Sequence, residues 1–341
     1  MIGIAHGLVL FGYGCGARIE NASIGEPEMD PAPLTGEYLG QEPPGMEPVL
    51  FAPGIVSTGL AERDMAITPD GKELYYTASL GARLNFSAIL VVRQVDQQWR
   101  DPEVAAFSGQ YADLEPTISP DGQRFFFVSR RPLPGSSEQL ENEDIWVVDR
   151  QDGGWGEPYN PGEPINSPEA EFFPSITHDN TMYFTRRGED RTEAIYRSHW
   201  FDGAYQEPER LPEEVNSAPT QFNAFIAPDE SYLIVCSWGR EDSLGGVDYY
   251  VVFRTPEDKW SGPFNLGDQV NTAEGQEWSP YVSPDGKYFF FMSSRATIES
   301  RHSPVRLSSS DLQRIHQEPM NGNSDIWWVD ARIIEELRPA S

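Results

Sequence analysis

The sequence predicts an all-β fold: a five-bladed β-propeller of four-stranded antiparallel blades, closed by an N-terminal strand that completes the last blade. Three observations carry this expectation. One hairpin pattern recurs five times, each recurrence brings two more strand-like pieces, and a strand missing at the end of the array is present at its start.

The hairpins read "DMAITPDGKELYYTAS", "EPTISPDGQRFFFVSR", "FPSITHDNTMYFTRR", "NAFIAPDESYLIVCSW" and "SPYVSPDGKYFFFMSS". Their turn aspartates, Asp70, Asp121, Asp179, Asp229 and Asp285, are separated by 51, 58, 50 and 56 residues, a period typical of propellers and solenoids. Pro presets φ, Asp bonds its own backbone and Gly takes the positive φ, so each Pro-Asp-Gly joins two short strands. The third unit has "THDN" for "SPDG", which predicts a wider turn there.

Each unit also holds a β-branched and aromatic run: "SAILVVRQ", "DIWVVDR", "AIYRSHW", "VDYYVVFR" and "DIWWVDAR". A fourth piece opens with an aromatic residue three places before a proline, as in Trp99 and Pro102, Trp155 and Pro158, Tyr205 and Pro208, Trp260 and Pro263. Proline suits an outermost strand, where a missing N–H is tolerated. Four strands per unit without a long helical period describe a propeller blade.

After "DIWWVDAR" only "IIEELRPAS" remains, a short helix by its pattern, so the fifth unit lacks its outer strand. Pro48 lies 22 residues before Asp70 just as Pro263 lies 22 before Asp285. Pro48–Thr58 is therefore expected to pair with the C-terminal strands and remove the exposed edges of an open array.

These units resemble the TolB-type WD40-like propeller repeats of the bacterial envelope, whose pattern runs Trp-x-x-Pro, Asn-Thr, an acid, Ser-Pro-Asp-Gly-Lys, an aromatic strand, Ser-x-Arg and Asp-Ile-Tyr. The matching stretches are "WGEPYNPGEPINSPEAE", "WSGPFNLGDQVNTAEGQEWSPYVSPDGKYFFFMSSR" and "NSDIWWVD", and the resemblance covers about residues 47–338. It implies the fold and leaves the ligand open.

Three regions are expected. Residues 1–15, "MIGIAHGLVLFGYGC", have the length of a secretory apolar segment and place Gly12 and Gly14 before Cys15 as in a lipoprotein signal. Residues 16–46, rich in Pro, Gly and Glu, read as a tether. Residues 47–341 form the propeller. The expected location is outside the cytoplasm, periplasmic or at the outer membrane, with lipid on Cys15 as the only membrane contact and a monomer as the working form.

The formal net charge of −29 repels phosphate backbones, which excludes nucleic acid as a partner. The five histidines, His6, His178, His199, His302 and His316, show no metal-ligand spacing, and hydrolase and phosphate-loop motifs are absent, so neither metal nor cofactor is expected.

Eight residues before each turn aspartate stand Glu62, Asp113, Glu171, Gln221 and Glu277, expected to ring one mouth of the central channel. Arg130, Arg131, Arg186, Arg187, Arg240 and Arg295 follow the aromatic strands and are expected on the same face. As structural groups, the acids would accept bonds from backbone N–H groups or from a neighbouring blade's arginine. As a site, Glu62, Arg63, Asp113, Glu171, Gln221, Glu277 and Trp278, with Arg131, Arg187, Arg240 and Arg295, would bind a protein or carbohydrate. Phe172, Phe173 and Trp278 beside carboxylates suit a sugar face. Two functions follow: an envelope binding protein, or a carbohydrate-active enzyme, glycosidase or lyase, using the ring carboxylates. Two insertions, 131–143 and the locally basic 296–323 with Arg301, His302, Arg306, Arg314 and His316, belong to this face as a lid, a docking site or a solvated loop.

Overall fold

A computed structural model describes residues 34–81, 86–255, 257–273, 275–296 and 306–339. The expected leader with Cys15, the tether up to residue 33, and Arg301 and His302 lie outside them.

Five antiparallel sheets follow one another, each a blade. Blade 1 pairs Ala61–Ile67, Glu73–Leu80 and Phe86–Val95, with Glu103–Val104 outermost. Blade 2 uses Asp113–Ile118, Arg124–Ser129 and Asp144–Gln151, edged by a bridge from Val147 to Tyr159. Blade 3 comprises Glu171–Ile176, Met182–Arg187, Glu193–Ser198 and Glu209–Arg210. Blade 4 comprises Thr220–Ile226, Tyr232–Trp238, Val247–Phe253 and Phe264–Asn265. Blade 5 supplies Tyr281–Val282, Tyr288–Ser293 and Asp325–Asp330, and its fourth strand, Val49–Leu50, comes from the other end of the chain.

That last pairing closes the ring. Val49 stands opposite Trp328 and Leu50 opposite Trp327, and the Phe51 N–H continues the ladder to the Ile326 carbonyl at 2.9 Å. Past blade 5, Arg332–Glu335 forms the expected short helix.

The core lies between blades. Alternate residues of a strand face opposite neighbours, so strands covered on both sides read as continuous apolar runs. Phe289 and Phe291 face Tyr249 and Val251 of blade 4, whereas Phe290 joins Phe51, Trp328, Met65 and Tyr76 between blades 5 and 1. Phe125 and Phe127 likewise turn to Tyr75 of blade 1, and Phe126 and Val128 to Met182 and Phe184 of blade 3.

Three local expectations change. The third turn is narrower: the Thr177 N–H reaches the Thr181 carbonyl, four residues on, where the other turns span five, and Asn180 takes φ +67° in the glycine's stead. The aromatic before each proline does not open the outer strand. Trp99, Trp155 and Tyr205 sit on hairpin returns, and the proline precedes the outer pairing. The rings fill the seam with the preceding blade; Trp155 Nε1 donates to Tyr75 Oη at 2.8 Å.

Residues 34–46, expected within the tether, lie against blades 1 and 5. Trp99 donates its N–H to the Leu34 carbonyl at 2.9 Å and its indole N–H to the Gly36 carbonyl at 2.8 Å. Tyr38 packs edge-on against Tyr288 at 5.0 Å, and the Gln41 amide bonds the Leu50 carbonyl (2.8 Å) and Ala52 N–H (2.7 Å). A second clasp therefore lies over the closing strand.

Candidate ligand-binding face

Glu62, Asp113, Glu171, Gln221 and Glu277 occupy one register position near the start of the innermost strands, and all are buried. Each is bonded to the loop arriving from the preceding blade. Thr58 gives Glu62 its N–H and hydroxyl, and Ser108 Oγ donates to Asp113 at 2.8 Å. The Ser167 N–H reaches Glu171 at 2.9 Å, joined by its hydroxyl, and Thr272 Oγ1 reaches Glu277 at 2.9 Å. Gln221 instead donates to the Ala218 carbonyl.

The residue before the hydroxyl explains the Asn-Thr signature. The Asn166, Asn216 and Asn271 amides pair with both the N–H and C=O of Ile145, Ile195 and Tyr249, extending the preceding blade like one more strand residue. Asn binds one blade and Ser or Thr binds the acid of the next. The loop is thereby locked.

Arginines complete these locks from within the acid's own blade. Arg131 Nη2 donates to Asp113 at 2.8 Å and to the Phe107 carbonyl at 3.0 Å, with its guanidinium 4.6 Å from the Phe127 ring centroid. Arg186, rather than Arg187, reaches Glu171, at 2.7 Å, and also the Ile165 carbonyl at 3.0 Å. Arg295 spans the Gln269 and Val270 carbonyls, both at 2.6 Å, stacked 4.9 Å from Trp327. Arg187 turns to Glu193 and Arg240 to Asp242, each at 2.9 Å. At Asp113 and Glu171 the group reaching the carboxylate from the preceding blade's loop is a serine hydroxyl, while the arginine on it belongs to the acid's own blade.

Burial pushes the Glu62 carboxyl up to about 7 against the bonds from Thr58. It likewise pushes Glu277 up to about 7, with Thr272, Ser293 and the Arg295 charge opposing, and it raises Glu171. Among the described residues, Glu277 Oε2 has no hydrogen-bond partner.

Two residues beyond each ring acid lies a feature that the spacing argument missed. Four innermost strands carry a β-bulge, and Asp64, Glu115, Phe173 and Asn223 there take φ of 58°, 58°, 52° and 50°. Bulges re-aim backbone groups, and here they aim them across the blade seams. The Glu115 N–H donates to Asp64 and Thr77 (both 3.2 Å), Phe173 N–H to Glu115 (2.7 Å), Asn223 N–H to Thr185 (2.9 Å) and Ser279 N–H to Tyr249 (2.9 Å). The Ser279 hydroxyl returns to Asp64. A hydrogen-bonded belt thus runs through all five blades. Its signal was visible: Asp, Glu, Phe, Asn and Ser open the five quoted repeats, at a position that varies while its surroundings recur.

Between ring and belt stand Arg63, Leu114, Phe172, Phe222 and Trp278. The last four are partly exposed although both chain neighbours of each are buried. Arg63 is buried, bonded to Asp64 at 2.9 Å and Glu115 at 2.8 Å, with its guanidinium 5.9 Å from the Trp278 ring. These five form a collar, mostly apolar, at the mouth where the innermost strands begin. Leu114 and Phe222 join the predicted Arg63, Phe172 and Trp278; the sequence disguised them as ordinary core.

The described part of the longer insertion forms a helix, Ser309–Gln317, started by a capping box between Ser308 and Asp311. Asn321 and Asn323 donate to the Gly59 carbonyl at 3.1 and 3.0 Å, which sets this segment beside the entrance to blade 1. In the shorter insertion, Asn142 reaches the Pro168 carbonyl at 2.8 Å. Among the described residues there is no cluster of potential metal ligands, and no helix is long and apolar enough to cross a membrane.

No family model and no curated protein matches the chain. Solved structures similar to it include a protein of Agrobacterium tumefaciens assigned as TolB, 16% identical, covering 80% of this chain and 90% of that one at a TM-score of 0.46. An exo-1,5-alpha-L-arabinanase from a bovine ruminal metagenomic library is 12% identical over 81% of this chain and 94% of its own, TM-score 0.44. An arabinanase of Bacillus subtilis is 11% identical over 80% and 95%, TM-score 0.46. The five-bladed propeller itself stands on the strand pairings and closure described above.

Proposed function

We propose that this chain is an exported, membrane-tethered recognition module, a monomer that binds a protein or glycan of the cell envelope at the collar. The observation that carries this reading is the division of labour at neighbouring positions. Glu171 is committed to Ser167 and Arg186 and Glu277 to Thr272 and Ser293, while Phe172 and Trp278, the residue after each, stay partly exposed. Aromatic faces with polar neighbours suit sugar rings and peptide side chains alike. Cys15 supplies the anchor in this reading.

The test is a binding screen of the full chain against peptidoglycan fragments, arabino-oligosaccharides and envelope proteins by calorimetry. Phe172→Ala and Trp278→Ala are expected to weaken any hit about tenfold or more, as loss of a buried aromatic contact does. A hit indifferent to both substitutions contradicts the assignment.

One observation favours the hydrolytic alternative. Burial pushes the Glu277 carboxyl up to about 7, the range in which a carboxylic acid can serve as a proton donor near neutral pH, and its second oxygen is buried without a hydrogen-bond partner among the described residues. Turnover of an arabino-oligosaccharide that disappears in Glu277→Gln would establish it.

A further inference from the structure

The opposite face of the ring carries a second axial feature, independent of the collar. Pro69, Pro120, His178, Pro228 and Pro284, one from each hairpin turn, border a single cavity of about 510 Å³. Below that rim its wall is Ile67, Ile118, Ile176, Ile226 and Val282, again one from each blade, with Phe225 and Tyr281 beside them. Prolines have fixed φ and short side chains, so the rim is preorganised. The volume falls within the range of small-molecule sites, and the apolar wall is interleaved with the hydroxyl residues Thr117, Ser119, Ser175 and Ser283, so a ligand meets both kinds of surface.

Fivefold equivalence breaks at one sector of the rim. His178 replaces a proline, and its free N–H donates to the Pro228 carbonyl at 2.8 Å, drawing blades 3 and 4 together. Beside it, the fourth turn reads Pro-Asp-Glu-Ser, without the Gly-Lys that follows Asp70 and Asp285. Those two aspartates are each paired with a lysine, whereas Asp121, Asp179 and Asp229 form no salt bridge among the described residues, and of these three Asp229 is the one that lines the cavity. The Ser231 N–H and hydroxyl bond Asp229 Oδ1 at 3.0 and 2.6 Å. Partial burial opposes ionisation of this carboxyl, but the Ser231 bonds outweigh it and keep its pKa below the ordinary value. Glu335 on the same rim is bonded to Arg338 at 2.6 and 2.8 Å, and Asp285 to Lys287 at 3.0 Å. Among the carboxylates that line the cavity, the one without a salt bridge is therefore Asp229, with the Glu335–Arg338 pair near it. In a chain of net charge −29 an anionic ligand is repelled.

We infer that this funnel binds a small organic amine, with its apolar body among the isoleucines and its cationic head at Asp229 beside His178. An apolar body gains from leaving water in proportion to its buried area, and the charged hydrogen bond orients it.

The experiment titrates the full chain with 2-phenylethylamine, and with 2-phenylethanol and phenylacetate as neutral and anionic counterparts, by calorimetry at low salt. The amine is expected to bind about tenfold more tightly than the alcohol, with phenylacetate weakest. Asp229→Asn keeps the acceptor oxygen that Ser231 needs, so the turn is preserved, and it should reduce the amine to the affinity of the alcohol. Ile118→Phe, which fills the funnel from a partly exposed wall position, should abolish binding of both, while Phe172→Ala on the other face changes neither. Absence of saturable amine binding overturns the inference. So does amine binding unchanged in Asp229→Asn, or phenylacetate binding as tight as the amine.

Discussion

Arg63 of blade 1 donates to Glu115 of blade 2 at 2.8 Å, and the other oxygen of that carboxylate receives the Phe173 N–H of blade 3 at 2.7 Å. One buried ion pair thus joins three blades. Replacing Arg63 by Met leaves Asp64 and Glu115 as buried carboxylates without a cation. The expected loss is about 3–5 kcal/mol, the usual cost of removing one partner of a buried pair. Adding Glu115→Gln should recover part of it. Urea unfolding of both variants checks this, and an unchanged midpoint for Arg63→Met would count against the belt.

The acidic groups predict a stability that falls as pH rises. Burial pushes Glu62, Glu277 and Asp325 each up to about 7. Because these folded-state values exceed the unfolded ones, the native state binds more protons between about pH 4.5 and 7. Their contribution is complete below the unfolded values and is lost as pH climbs through about 7. The melting temperature should therefore drop from pH 5 to pH 8, and Glu62→Gln with Glu277→Gln and Asp325→Asn should flatten that slope. A slope unchanged by the triple substitution contradicts the assignment.

Closure of the ring rests on few residues. Phe51 is fully buried, with its ring 5.0 Å from Phe290 and 5.2 Å from Trp328. Phe51→Ala should cost about 3–5 kcal/mol and speed amide exchange at Ile326 and Trp328, read by hydrogen exchange with mass spectrometry. Exchange confined to the N-terminal segment alone would mean that the blade holds without its fourth strand.

The clasp gives a separate prediction. Gln41 bonds both the Leu50 carbonyl and the Ala52 N–H, so Gln41→Ala strips two partners from the turn after the closing strand. A loss of about 1–3 kcal/mol is expected from such unsatisfied groups, measured by thermal denaturation of the full chain. No change would show that water replaces the amide freely.

The blade count, the hairpins and the closing strand were legible because turn chemistry and period survive in any sequence that repeats. The ring position was legible for the same reason. Its role was not, since whether Asp113 meets Arg131 or a ligand depends on a side-chain path that spacing does not encode. The belt was harder still: a bulge at Asp64 or Asn223 leaves no composition mark, and only the variation at that position pointed to it. Residues 34–46 looked like a linker because Tyr38, Leu39 and Gln41 follow no strand period, yet each meets a specific partner on blades 1 and 5. Aromatic residues before prolines read as outer-strand residues because hairpin returns and edge strands share the same residue types.

Whether the ring carboxylates are locks or ligand groups is decided most directly by the unfolding free energy of Asp113→Ala and Glu171→Ala. Locks predict a loss of about 3–5 kcal/mol in each, because Arg131 and Arg186 are left without their carboxylates. Carboxylates held ready for a ligand are a source of strain, and their removal leaves stability unchanged or raises it. That second result would contradict the account.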